Sequence, residues 1–334
     1  MDSLTQIVLG AAVGEAVLGK KVGNKALLYG AIAGTVPDLD VVANYFTDTL
    51  SAIELHRGFS HSILFGLLGA PIFGWLTNAL ERKHQLGWKP WAKLFFWGLL
   101  THPLLDAFTT WGTRLFWPFE LRLAFNSIFV IDPLYTLPFL VLTFAVLFMK
   151  RGSQRRRRFN QFGLVLSTSY LFFTLFLKWV VHRRFEVALD TQDILYTKIS
   201  TRPAPLNTIV WNANVDTEQA YLIGDHSFFD TGKITFKRFP KHRGEASEIL
   251  KYPNVQRLVT ISEGWYILEQ KDEDWFFYDL RFGLIPQKDG KTVFAFTYHL
   301  QENNGQIVVT EAKKTRDDAQ YLLRNLWQRI QGKP

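Results

Sequence analysis

The sequence has no cysteine, and that single absence excludes disulfide frameworks, zinc ribbons and thiol nucleophiles. It contains only two methionines, no internal repeat and no nucleotide-binding glycine loop. Its 13 prolines and 23 glycines in 334 residues are too few for a collagen-like or low-complexity chain. Charge is scarce in one half. Residues 1–182 carry seventeen Lys and Arg against ten Asp and Glu among long apolar runs, whereas residues 183–334 hold twenty-one against twenty. Nearly all of the net charge of +8 therefore sits in the apolar half. A secretory signal peptide is not expected, because Asp2 replaces a basic leader and Glu15 interrupts the first apolar stretch.

What is present reads as a membrane α-helical bundle over 1–182, followed by a soluble α+β domain of mainly antiparallel strands over 183–334. Six apolar segments of spanning or near-spanning length are predicted at about 4–19, 26–46, 62–80, 91–110, 128–149 and 159–181. Gly10 and Gly14 have the spacing of a close helix–helix contact. Pro37 predicts a bend or stop in the second segment.

Basic residues set the expected orientation. Lys20, Lys21 and Lys25, then Arg82, Lys83, Lys89 and Lys93, then Lys150, Arg151 and Arg155 to Arg158 occupy alternate connections, which are predicted to be cytoplasmic. The loops at 47–55 and 111–127 are poor in Lys and Arg and are expected outside, as is the C-terminal domain. An arginine run between two spans is read as a topology signal rather than a nucleic-acid site.

The second half alternates apolar and polar residues over 208–215, 265–269, 275–280 and 293–299, with turn signals at Asp230-Thr231-Gly232 and Asn303-Asn304-Gly305. Short helices are expected over 245–251 and 316–331.

Ionisable residues inside membrane segments are costly and usually functional. Asp38 and Asp40 lie toward the end of the second segment; His56, Arg57 and His61 precede the third; His102 and Asp106 lie late in the fourth. With the charge-derived topology, all of them fall toward the outer face. Imidazole and carboxylate together suit zinc, manganese or iron. His102 and Asp106 share a helix face at i,i+4. Three histidines and three aspartates exceed one tetrahedral site, so the expected content is one or two ions, with zinc preferred. Asp132 is read as a helix starter whose membership of the site stays open; Asp2, Thr5 and Gln6 are read as helix-capping residues, with contacts behind the metal ligands as the alternative. Ser60 and Ser62 lack a nucleophile-elbow pattern. His84, His226, His242 and His299 show no ligand spacing, and Trp111, Trp117 and Trp179 read as interfacial anchors.

Asp2-Ser3-Leu4-Thr5-Gln6, Pro37-Asp38-Leu39-Asp40, His56-Arg57-Gly58-Phe59-Ser60-His61-Ser62 and His102-Pro103-Leu104-Leu105-Asp106 resemble the bacterial inner-membrane metal-dependent hydrolase family (YdjM-like) over about residues 1–150. The resemblance implies metal binding by Asp38, Asp40, His56, His61, His102 and Asp106. A more distant similarity is to zinc-dependent phospholipase C, where a His-xxx-Asp helix also supplies zinc ligands.

The expected function is a phosphoesterase-like, metal-dependent hydrolase acting on a lipid or lipid-linked phosphoester at the outer face of the bacterial cytoplasmic membrane. A metal-activated water would attack phosphorus. Arg57 is the candidate for holding the phosphate, and an aspartate such as Asp40 for general base. The expected partner is membrane lipid and not nucleic acid. A metal-ion or proton transporter and a scaffold with a structural metal remain as alternatives.

Overall fold

Asp2 starts the first helix, its carboxylate accepting from the Thr5 amide at 3.1 Å. The helix that follows, α1 (Ser3–Val22), turns at Gly23 into α2 (Asn24–Thr35), and the backbone then tightens into a 3-10 segment over Val36–Tyr45 with Pro37 in its first turn. The computed structural model describes residues 1–244, 246–272, 274–286, 292–303, 305–312 and 324–333. Two units emerge. One comprises Met1–Phe46, Leu55–Leu177 and Pro205–Asn207; the other comprises Thr47–Glu54, Lys178–Ala204 and Thr208–Pro334.

The first unit continues through α4 (Ile63–Leu80), α5 (Trp88–Asp106), α6 (Pro133–Leu147) and α7 (Gln154–Thr191); α3 (Thr49–Leu55) lies largely in the second unit. Small residues bring α1 and α2 together. A Cβ on Gly14 would come 2.8 Å from the Gly30 Cα, and one on Gly10 would come 2.9 Å from the Gly34 Cα. Glycine is required at both positions because helix backbones in lipid associate by close packing. This contact matters downstream, since it lays Gln6 and Gly34 side by side.

Among the described residues, three stretches are long and apolar enough to cross a membrane: Asn24–Ala43, Ile63–Leu80 and Gln154–Thr191. The other three expected spans correspond to α1, α5 and α6, which do not reach that standard. Helix α6 is only 15 residues long. Helix α1 is interior, burying Gln6 and Glu15 together with its apolar residues. Its Glu15 carboxylate receives the Arg156 guanidinium of α7 through two bonds of 2.7 and 2.6 Å. A buried charge is tolerated when paired bidentately in this way. Helix α7 also runs past residue 182, so the second half does not begin at a helix end.

In the second unit, β1 (Lys198–Pro203), β2 (Val210–Asp216), β3 (Ala220–Ser227) and β4 (Phe236–Pro240) form one antiparallel sheet in chain order. After α8 (Pro253–Ile261), β5 (Tyr266–Lys271), β6 (Asp274–Pro286), β7 (Thr292–Asn303) and β8 (Gln306–Glu311) form the second. The expected helix over 245–251 is only a 3-10 turn at Ile249–Lys251 in its described part, because Pro253 favours the first turn of a new helix. Of the expected helix over 316–331, residues 316–323 lie outside the described residues and 324–330 are helical. Asn304 of the expected turn likewise lies outside them.

The loop expected at 47–55 is a structural part of the second unit. Leu50 is buried in the same apolar cluster as Val255, Leu258, Phe277 and Tyr298. Glu54 receives the Arg257 guanidinium at 2.9 and 2.8 Å.

Candidate metal centre

Three elements contribute four side chains to one point in the first unit. The 3-10 segment after α2 supplies Asp38. The short 3-10 turn Phe59–His61 supplies His61 just before Ser62 caps α4, accepting from the Phe65 amide at 3.0 Å. The last turns of α5 supply His102 and Asp106. One ligand atom from each of Asp38, His61, His102 and Asp106 falls within 4.8 Å of every other.

The individual separations resemble a coordination shell. His61 Nε2 and His102 Nε2 are 3.1 Å apart. Asp38 Oδ1 lies 3.4 Å from each. Asp106 Oδ2 lies 3.5 Å from His61 Nε2 and 3.8 Å from His102 Nε2. Four ligands placed about 2.0 Å from a tetrahedral ion are separated by roughly 3.3 Å. The observed edges bracket that value.

Hydrogen bonding behind the shell fixes which atoms face inward. His102 Nδ1 lies 2.6 Å from the Gly34 carbonyl, which can only accept, so the proton is on Nδ1 and the Nε2 lone pair points into the site. His61 Nδ1 lies 3.3 Å from Asp40 Oδ2 and 2.9 Å from Ser60 Oγ. A carboxylate there likewise favours the Nδ1–H form. Four lone-pair-bearing atoms thus converge, three of their residues being fully buried. A proton on one imidazole relieves some of these contacts, whereas a divalent cation relieves all of them. Asp106 Oδ2 is buried and receives no well-aligned hydrogen bond, its nearest cation being Arg57 Nε at 3.3 Å. The residues fit a metal ion.

Asp106 is held from the other side. Gln6 Nε2 donates to its Oδ1 at 2.9 Å, and the Met1 amine pairs with the same oxygen. Gln6 was visible in the sequence as the amide in an otherwise apolar stretch, but its role depends on the α1–α2 approach. The backbone carbonyl of Gly34 left no signal at all.

Asp40 and His56 are not in the four-residue group. Asp40 Oδ1 meets His56 Nδ1 at 2.8 Å, while its Oδ2 accepts from Ser60 Oγ at 2.7 Å and from the Arg57 amide at 3.0 Å. Its oxygens are already provided with donors, and it contacts the group through the outer nitrogen of His61. Arg57 has a left-handed φ of 61°, unusual for a residue with a side chain. That conformation aims its guanidinium inward, with Nε 3.3 Å from Asp106 Oδ2 and NH1 donating to Thr109 Oγ1 at 3.1 Å and the Gly112 carbonyl at 3.3 Å. Thr113 Oγ1 donates to the His61 carbonyl at 3.1 Å and so braces the same turn.

Asp132 is elsewhere. Its carboxylate caps α6 at the Leu134 and Tyr135 amides and accepts from Tyr170 at 3.0 Å. Asp2 is the cap of α1.

Comparison with known proteins identifies a family over the first half of the chain. The family model described as YdjM inner membrane protein matches residues 1–181, which contain every residue of the metal-binding group. The inner membrane protein YbcI of Escherichia coli (strain K12) is 27% identical over 114 residues, covering 34% of this chain and 64% of that protein. The match therefore spans less than two thirds of this relative. No solved structure matches the chain. On the extent of the family match, together with its apolar helices, the chain belongs to the YdjM inner membrane protein family and is a protein of the inner membrane.

Proposed function

We propose that the protein is a metal-dependent hydrolase of phosphoesters in lipid or lipid-linked substrates, working at the outer face of the inner membrane. The observation that carries this reading is the convergence of Asp38 Oδ1, His61 Nε2, His102 Nε2 and Asp106 Oδ2. These four residues would hold the ion, with zinc the preferred identity and manganese or iron the alternatives. When bound, the ion supplies Lewis acidity toward a phosphoryl oxygen and activation of water.

The remaining roles fall to neighbouring side chains. Asp40 orients His61 and anchors the Arg57 amide, and with the half-exposed His56 it forms a pair that can accept a proton at the rim. Arg57 contributes a permanent positive charge beside Asp106, which supports an anionic substrate. The Asp38 side chain is 23% exposed while those of His61, His102 and Asp106 are inaccessible, favouring substrate entry on the Asp38 side.

For topology, we propose six spans with the basic connections inside and the second unit outside. Support comes from residues 47–54, which are poor in Lys and Arg and are built into the second unit, so that loop and domain share one side of the membrane.

The direct test is turnover. Purified protein in phospholipid nanodiscs, stripped of metal and reloaded with zinc, manganese or iron, is assayed for release of phosphate or headgroup. Metal-dependent release that is lost in Asp106→Asn supports the reading. Metal bound in full with no cleavage across a phosphodiester and phosphomonoester lipid panel favours a structural metal instead.

A further inference from the structure

Three connections of the first unit, those after α1, α4 and α6, meet around an open cleft of about 380 Å³. From Gln6 to Gly23 along α1 is about 25 Å at 1.5 Å per residue, so the cleft is remote from the metal-binding group. Topology alone asks for basic residues on these loops and does not ask that they enclose a space.

The charges lining the cleft divide into two sets. Lys25 is paired with Glu81, and Arg156 is paired with Glu15 while NH1 donates to Asn24 Oδ1 at 2.8 Å. Lys83 and Arg151 also line the cleft; Glu81 acts on Lys83 through space while its carboxylate is taken by Lys25, and neither Lys83 nor Arg151 makes a direct ion pair among the described contacts. Arg151 is placed by packing. Its aliphatic stem crosses Gly23, where a Cβ would lie 3.1 Å from Arg151 Cδ, and Gly23 has φ +65°. The N-terminus of α2 opens into the same space at Asn24, adding a partial positive charge. Val22 and Met149 give the lining an apolar side. Excess positive charge against an apolar wall at a loop–helix boundary matches a phosphate that carries acyl chains better than a free ion.

We propose that this cleft binds the phosphate of an anionic phospholipid headgroup, with Lys83 and Arg151 as the two cations that recognise it. The site is separate from the metal centre and does not depend on hydrolysis.

The test uses the full chain, purified into nanodiscs of phosphatidylcholine doped with phosphatidylglycerol, with retained lipid counted by native mass spectrometry. A basic residue near the surface contributes about fivefold in anionic-lipid affinity, so Lys83→Gln with Arg151→Gln lowers retention of phosphatidylglycerol by about twenty-five-fold. Arg157→Gln with Arg158→Gln removes the same charge from the same end outside the cleft, and retention falls only slightly. Equal losses in the two double variants would reduce the effect to diffuse attraction and overturn the site. Displacement of the lipid by inorganic phosphate at equal concentration would overturn the lipid assignment in favour of a free anion.

Discussion

His61 and His102 face one another through their Nε2 atoms at 3.1 Å, each with its other ring nitrogen engaged by an oxygen acceptor. Two imidazoles so arranged have no hydrogen bond to share unless one becomes cationic. With Asp38 and Asp106 closing the same group, the pair is organised for an ion. The two histidines come from different elements and are separated by 41 residues, so the fold itself assembles the site.

A distinction follows between residues that hold the ion and the residue that orients a ligand. Asp106→Asn and His102→Ala are expected to remove metal almost completely. Asp40→Asn leaves the four donors in place and weakens affinity by about 10–100-fold, the usual effect of losing an outer partner of a histidine ligand. Metal titration of the three variants separates these outcomes. Loss in Asp40→Asn as complete as in Asp106→Asn would make Asp40 a ligand.

The α1–α2 contact is expected to matter at the metal centre although Gly14 is remote from it. Gly14→Leu inserts a side chain where Gly30 Cα would be only 2.8 Å from its Cβ. Overpacking costs about 1–3 kcal/mol, and separation of α2 from α1 draws Gly34 away from His102. Lower thermal stability together with weaker metal binding is the expected result. A stable variant with unchanged metal affinity would show that the two helices adjust independently of the site.

Residues 47–54 are expected to stabilise the second unit. Leu50→Ala leaves a cavity in the cluster with Val255 and Phe277, at a cost of about 2–5 kcal/mol. Hydrogen exchange on the full chain reads this as faster exchange in α8 and β6. Exchange confined to residues 47–54 would mean that the segment only rests on the domain.

Acid is expected to release the last helical stretch. Arg329 grips Asp230 through two bonds of 2.6 Å each. Burial pushes the Asp230 carboxyl up, but the Arg329 guanidinium and the Ser227 amide outweigh it and hold it below its ordinary value. A lowered folded value means that the contribution is full above the unfolded carboxyl's range, about 4, and is lost as pH falls through the folded value. Exchange of residues 324–330 therefore rises at low pH in the native protein. Arg329→Ala raises it already at neutral pH and flattens the dependence.

Much of this was legible in the sequence, for definable reasons. Asp38, His61, His102 and Asp106 stood out because a charged or imidazole side chain among apolar segments has few inexpensive explanations. The stretches 208–215, 265–269, 275–280 and 293–299 showed their strands through period-two alternation. What could not be read was long-range. Asp40 and His56 have the same chemistry as the four clustered residues, and nothing local in the sequence tells that Asp40 Oδ1 meets His56 Nδ1 instead of joining that cluster. Leu50 sits in a short, polar-flanked loop, and nothing local says that its partners lie some two hundred residues later. Span length was equally hard to read, since α1 buries Gln6 and Glu15 within the bundle and the helical part of the fifth segment is only 15 residues long.

The account stands on the metal. Elemental analysis by inductively coupled plasma mass spectrometry, on full-length protein purified without chelator, measures ions per chain directly. One tightly held divalent ion per chain is expected, absent from His102→Ala while that variant still inserts and folds. A wild-type protein that retains no divalent ion after loading, or a His102→Ala protein that retains it undiminished, would contradict the central claim.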